Sequence, residues 1–338
     1  MNSYRKRCIS KHLKLKDKIK VYLDTKYWLI LRDVQLKQSI CPKKIKIHRT
    51  ILNLAESKKV IFPISQYVLN ELVKQRDRRT LEESFNLILQ LSNNISIRTY
   101  KERIFEEVIS FIKDVADKKL NFNSEVNNQH VWTSIPYSFG KFVIETENNG
   151  HFDEEAQQVI FESESIDQMF LNIILEESED SSNFPDPTDM LNAKKSDKYK
   201  NTLKNQSCEF HSELERGLVV NAFIEAFDSS YNNKDVETAL IALNILKYKN
   251  KLGNVLPTLN TYSTLLTTWI IEQNSKIKVN HYFDIHHATA ALPYFDIFLT
   301  ENSLKDAIKR VTPKYLEFNK CKVGSTLEEA IEILNSLK

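Results

Sequence analysis

Five acidic or amide side chains stand where they could do chemistry: Asp24, Glu71, Asp284, Glu301 and Asn302. Each falls at or near the end of a segment that reads as a strand or a helix. In an open α/β sheet such ends gather on the carboxyl rim, where ligands bind. Carboxylates gathered there repel one another unless cations neutralise them. Hard oxygen donors of this kind suit Mg2+ or Mn2+.

The elements that must position them can be read along the chain. IKVYLDT, 19–25, reads as a short strand ending at Asp24. KKVIFPI, 58–64, is a second strand, and Ser65 then caps the helix QYVLNELVKQ. Glu71 lies one turn beyond Tyr67, near the rim of that helix's apolar face. A helix over 81–91 leads to a third strand, ISIRTY, 95–100. A long helix from Glu102 to Lys119 follows, with Ile104, Val108, Ile112 and Val115 on one side. Periodicity weakens over 120–207, which reads as an insertion or subdomain. Helices return over 207–227, Val236–Tyr248 and 262–274. Asp284 is expected to open an Ala-rich helix that ends before Pro293. DIFLT, 296–300, is a strand that delivers Glu301 and Asn302, and NKCKVGS, 319–325, is a final strand before TLEEAIEILNSLK. The alternation predicts an α/β layer fold.

Composition narrows the classes. The chain has 338 residues, 41% apolar and 27% charged, which excludes disorder throughout. A net charge of +2 creates no global cationic field. The charge is unevenly spread, however. Residues 1–20 hold eight Lys or Arg and one acid, Asp17, whereas Glu145–Met190 holds fourteen acids and no Lys or Arg. The basic leader is the expected contact to phosphate, extended by RDRR, 76–79, and PKKIKIHR, 42–49. The acidic segment, with its loop-like 176–190, is expected to cover a cleft or to bind a basic partner.

Tyr27 and Trp28 either stack on a base or pack in the core. Glu213 and Arg216 are spaced to pair on a helix, and Arg216 could hold a phosphate through its fork. His286 and His287 lack the H-x-x-x-H zinc spacing. One is expected to pack in its helix and the other to face solvent. Cys8, Cys41, Cys208 and Cys321 form no CxxC pair, which argues against a disulfide scaffold or a cysteine zinc site and for a reducing compartment. The N-terminus has no signal-peptide core, and no apolar run reaches 18 residues. A cytoplasmic protein with no membrane partner is expected. Neither G-x-G-x-x-G nor a P-loop occurs, which argues against a Rossmann dehydrogenase and against a kinase or P-loop ATPase.

Two blocks resemble the PIN-like domain superfamily of metal-dependent nucleases. VYLDTKYWLIL, 21–31, resembles the opening strand with its Asp and the hydroxyl residue Thr25. YFDIHHATAALPYFDIFLTEN, 282–302, resembles the closing block, in which a helical Asp is followed by a strand ending in Thr-x-Asp or Thr-x-Asn. ISQYVLNELVK resembles the helix that bears the family's Glu. The resemblance implies a three-layer α/β/α fold with a central, mostly parallel sheet and an inserted helical region. It implies a nuclease domain split into 1–119 and 256–338, with the helical, partly acidic insertion at 120–255. It also implies a metal site of Asp24, Glu71, Asp284 and Asn302, holding Mg2+ or Mn2+. Glu301 could stand in for Asn302, and Thr300 matches a hydroxyl beside the pocket. One ion would activate water and a second would hold the scissile phosphate.

The implied activity is that of a metal-dependent endoribonuclease, with toxin and antiviral defence roles known in the family. The alternatives are a DNA nuclease of the same fold and a non-catalytic scaffold, the latter suggested by Lys26 and Asn302. Nucleic acid, RNA before DNA, is the expected partner. A regulatory protein or a second copy of the chain would be a further one.

Overall fold

In a computed structural model the chain is described over residues 3–75, 77–117, 130–140, 233–249, 251–272, 278–310 and 321–337, and at 170, 217, 220 and 224. The acidic segment Glu145–Met190, except position 170, lies outside the described residues, as do Arg216 and nearly all of 120–232.

Four parallel strands form the sheet: β1 (Ile19–Leu23), β2 (Val60–Ile61), β5 (Ile297–Leu299) and β6 (Lys322–Gly324), in the order β2-β1-β5-β6. Val21, Tyr22 and Leu23 pair with Ile297, Phe298 and Leu299. All six are buried, as a central parallel strand covered on both faces requires. β3 (Ser96–Ile97) touches the β2 edge through a single parallel bridge, Ile64–Ser96. The expected third strand is thus marginal to the sheet. It pairs antiparallel with β4 (Trp132–Thr133), which the sequence pattern did not reveal.

Helices α2 (Thr25–Gln35), α3 (Pro42–Glu56), α5 (Arg78–Ser92) and α11 (Leu327–Asn335) form one packed group. The other holds α6 (Tyr100–Ala116), α8 (Pro257–Glu272), α9 (Val279–Tyr294) and α10 (Asn302–Arg310). The result is an α/β/α architecture. Inserted α7 (Asn233–Tyr248) packs Ala239, Leu243 and Leu246 on Val108, Phe111 and Ile112 of α6, forming a second apolar cluster. Their i, i+4, i+7 spacing is the stripe an amphipathic helix buries. Among the described residues no helix is long and apolar enough to cross a membrane.

Three of these readings gain detail. The basic leader is ordered: Ser3–Leu15 is helix α1, with Tyr4, Cys8 and Leu15 buried and the Tyr4 hydroxyl 3.2 Å from Thr133 Oγ1. Lys6 and Lys14 are exposed, whereas Arg5 lies 3.3 Å from Glu106 and Arg7 donates to the Tyr137 hydroxyl at 3.4 Å, which ties the helix to the body of the protein. Tyr27 and Trp28 are buried too, and the indole donates to the Leu23 carbonyl at 3.1 Å, so neither ring is free to stack on a base. Finally, α9 begins at Val279, not at Asp284, and Pro293 lies within its last turn.

That proline explains a buried cation. Pro293 has no N–H to give the carbonyl four residues earlier, Thr289. Arg103 Nη1 of α6 donates to that carbonyl at 3.1 Å instead. One turn along α6, Glu107 accepts from the backbone N–H groups of Thr258 and Leu259, at 3.1 and 3.4 Å, and from the Tyr294 hydroxyl. The first N–H groups of a helix have no partner within it. Glu107 therefore caps α8 from a neighbouring helix, and the Arg103–Glu107 pair joins α6 to α8 and α9.

Candidate metal centre

The chain runs outward from β1 to β2 and β3, then returns to the other side of β1 as β5 and β6. The direction of winding reverses between β1 and β5. In open α/β sheets that reversal opens a crevice at the carboxyl ends of the strands. Asp24 and Thr300, the residues that follow β1 and β5, stand there side by side.

Asp24 caps α2: its Oδ1 accepts from Thr25 N at 2.6 Å. Its Oδ2 accepts from the buried Thr300 hydroxyl at 2.7 Å. Its backbone N–H donates to the Leu299 carbonyl at 2.9 Å, so main chain and side chain are both fixed. α4 (Gln66–Leu72), capped by Ser65 as expected, brings Glu71 from the other side. Glu71 Oε2 accepts from the Thr25 hydroxyl and from His287 Nε2, the latter at 2.9 Å. The same Nε2 is 3.7 Å from Asp24 Oδ1. One donor atom from each of Asp24, Glu71 and His287 lies within 4.8 Å of the others, close enough to hold one divalent cation.

The expectation that one of the two histidines faces solvent is wrong. His286 and His287 are both buried. His286 stacks on Tyr67 at 4.2 Å, and His287 belongs to the cluster. The missed signal is Asp284-x-x-His287. Three residues apart on one helix, these side chains share a face, which is visible only once α9 is known to begin upstream of both.

Asp284 is half-buried, and its carboxyl is raised to about 7 by burial, then by Asp24, Glu301 and Glu71, against the pull of His287. It therefore senses the cluster without lying among the grouped donor atoms. Glu301 and Asn302 are exposed where α10 begins. Lys26 donates to the Ser325 carbonyl at 3.3 Å.

Burial would raise Glu71, but the hydrogen bond and charge of His287, then Thr25 and Lys74, hold it below its ordinary range. Burial would lower His287, but Tyr22, Asp24 and Glu71 hold it well above its ordinary range. In the metal-free protein the imidazolium thus neutralises part of the acidic cluster.

This has a measurable consequence. Asp284 and His287 both bind protons more tightly folded than unfolded. Their contributions to metal-free stability are full below 3.8 and 6.5 respectively, and are lost as pH rises, for Asp284 through about 7 and for His287 beyond its ordinary range. A cation must displace these protons, so its binding strengthens as they leave. We expect the gain in unfolding temperature on adding Mn2+ to be larger at pH 8 than at pH 6, by thermal unfolding with and without the ion. Equal gains would contradict the assignment of these groups.

No family model, curated protein or solved structure matches the chain. What the molecule does must be argued from the fold and this cluster.

Proposed function

We propose that the protein is a metal-dependent nuclease of the PIN-like type, hydrolysing phosphodiester bonds in RNA. The observation that carries this is the convergence of Asp24, Glu71 and His287 at the winding reversal of a parallel sheet. Elements distant in sequence meet there, and a helix cap, a threonine hydroxyl and a histidine hold the carboxylates in place. Two carboxylates and an imidazole suit a divalent ion such as Mn2+ or Mg2+.

Such an ion, when bound, supplies a water of lowered pKa and charge stabilisation for a phosphate. The chain's own residues supply the rest. Asp24 and Glu71 present oxygens whose directions are set by Thr300 and Thr25. Asp284, whose own proton the cation displaces, stands beside the cluster as a carboxylate able to take a proton from an attacking water. Lys74 places its ammonium 4.0 Å from the Phe283 ring centre and helps hold Glu71 in its charged form, which leaves a cation beside the acidic cluster for an incoming phosphate. RNA as substrate, the Asn302 role, and a place in defence or toxicity rest on the resemblance of the two sequence blocks, whereas the Arg216 role rests on its spacing from Glu213 along a helix.

The test is cleavage of end-labelled single-stranded RNA, duplex RNA and flap DNA by the purified chain, in Mn2+, Mg2+ or chelator. Cleavage of RNA in the metal buffers and none in chelator is the expected result. No cleavage of any of the three in either ion would overturn the proposal.

A further inference from the structure

The imidazole of His287 has a second contact that the metal centre itself does not explain. Its Nδ1 is 2.7 Å from the Tyr22 hydroxyl, and that hydroxyl is 2.6 Å from Ser65 Oγ. Ser65 Oγ also accepts from Val68 N at 3.4 Å, as the cap of α4. Tyr22 is completely buried, with its ring edge-on to Phe295 and Phe298 at 5.0 and 5.2 Å, so its hydroxyl has a fixed position.

We propose that Tyr22 and Ser65 form a positioning relay that offers the His287 Nε2 lone pair to the cation, and that the site consequently prefers Mn2+ to Mg2+. This rests on the reading of the cluster as a metal centre.

The argument is one of donors and acceptors. Tyr22 has one hydroxyl proton. When it donates that proton to Ser65, its oxygen accepts from His287 Nδ1–H. The imidazole is then in the tautomer whose Nε2 carries a free lone pair. Nε2 points between Asp24 Oδ1 and Glu71 Oε2, at 3.7 and 2.9 Å. A ligating histidine ordinarily has its other ring N–H held in this way, which fixes both tautomer and ring orientation.

The wiring follows the elements that bear the carboxylates. Tyr22 and Asp24 are two residues apart at the end of β1, and Ser65 caps the helix that bears Glu71. One strand and one helix each supply a carboxylate and a hydroxyl, so the relay and the ligand atoms are set by the same backbone.

The choice of ion follows from the nitrogen. Mg2+ is held through oxygen and keeps much of its water, whereas first-row transition ions accept imidazole more readily. A nitrogen donor fixed in place raises affinity for Mn2+ far more than for Mg2+.

The test is calorimetric titration of the full chain and of Tyr22→Phe and Ser65→Ala with Mn2+ and with Mg2+, together with pulsed electron paramagnetic resonance of the bound Mn2+. The wild type should bind Mn2+ at least about tenfold more tightly than Mg2+ and show 14N coupling from histidine. Tyr22→Phe should lose about 10- to 100-fold in Mn2+ affinity with little change for Mg2+, and Ser65→Ala should shift the same way by less. A purely structural role would lower the unfolding temperature of the variants and leave the Mn2+-to-Mg2+ ratio unchanged, which would overturn the relay. Mn2+ bound without nitrogen coupling, or no tighter than Mg2+, would overturn the inference while leaving the metal centre standing. Failure of the wild type to bind either ion would instead remove the metal centre. If Tyr22→Phe does not fold, the Ser65→Ala ratio and the wild-type spectrum decide.

Discussion

Asp24→Asn is expected to leave the fold intact and remove both the response to Mn2+ and nucleic-acid cleavage. Asn caps a helix about as well as Asp, and its carbonyl oxygen can accept from Thr25 N or Thr300 Oγ1, the present partners of the carboxylate. What it lacks is charge. At Mn2+ 100-fold above its dissociation constant, the wild type gains about 2.7 kcal/mol, on the order of 5 °C for a chain of this size. The variant should show essentially none of that gain. Cleavage should fall by about 10²–10³-fold or more, the scale of losing one preorganised charge-stabilising group. Thermal unfolding with and without Mn2+, alongside cleavage of a labelled strand, measures both effects. An unchanged Mn2+ gain in the variant would remove Asp24 from the centre.

The largest effect on stability is expected far from the cluster, at Glu107. Glu107→Ala strands the N–H groups of Thr258 and Leu259, leaves the Tyr294 hydroxyl with only Thr258 Oγ1 at 2.7 Å, and leaves Arg103 buried without its acidic neighbour. Breaking such a buried arrangement costs about 3–5 kcal/mol, much of the roughly 5–15 kcal/mol that holds an ordinary protein folded. Urea unfolding should show the midpoint falling accordingly, or the chain failing to fold. Glu107→Gln keeps one accepting oxygen and should cost less. A midpoint unmoved by Glu107→Ala would show that α8 does not need this cap.

The contrast between these two residues shows what a sequence discloses. Asp24 was legible because its signals are local: an apolar run, an acid at its end, a hydroxyl next to it and an amphipathic helix beyond. Ser65 was legible for the same reason. Asp284 was recognised as a candidate but placed at the wrong point of its helix. An Asp before an Ala-rich run looks like a cap. Here Tyr282 and Phe283 pack edge-on to Tyr67, and that packing carries the helix back to Val279. His287 was lost with the same error, since the face it shares with Asp284 depends on the helix enclosing both. Arg103 and Glu107 read as the polar side of α6. Their partners lie 186 and 151 positions away, and only the fold brings them together. β4, at two residues, is too short for period-2 alternation to register.

The adjacency of β1 and β5 also sets a clock. Asp24 and Thr300 are hydrogen-bonded neighbours separated by 276 positions of chain. Contacts that close so long a loop form late in folding. At synthesis rates of about 5–20 residues per second, roughly 15–55 s pass between the first of these residues and the second. For most of that interval a growing chain has Asp24 but neither His287 nor the strand that locks the aspartate in place. The ribosome thus carries an incomplete cluster until β5 and Thr300 have been made.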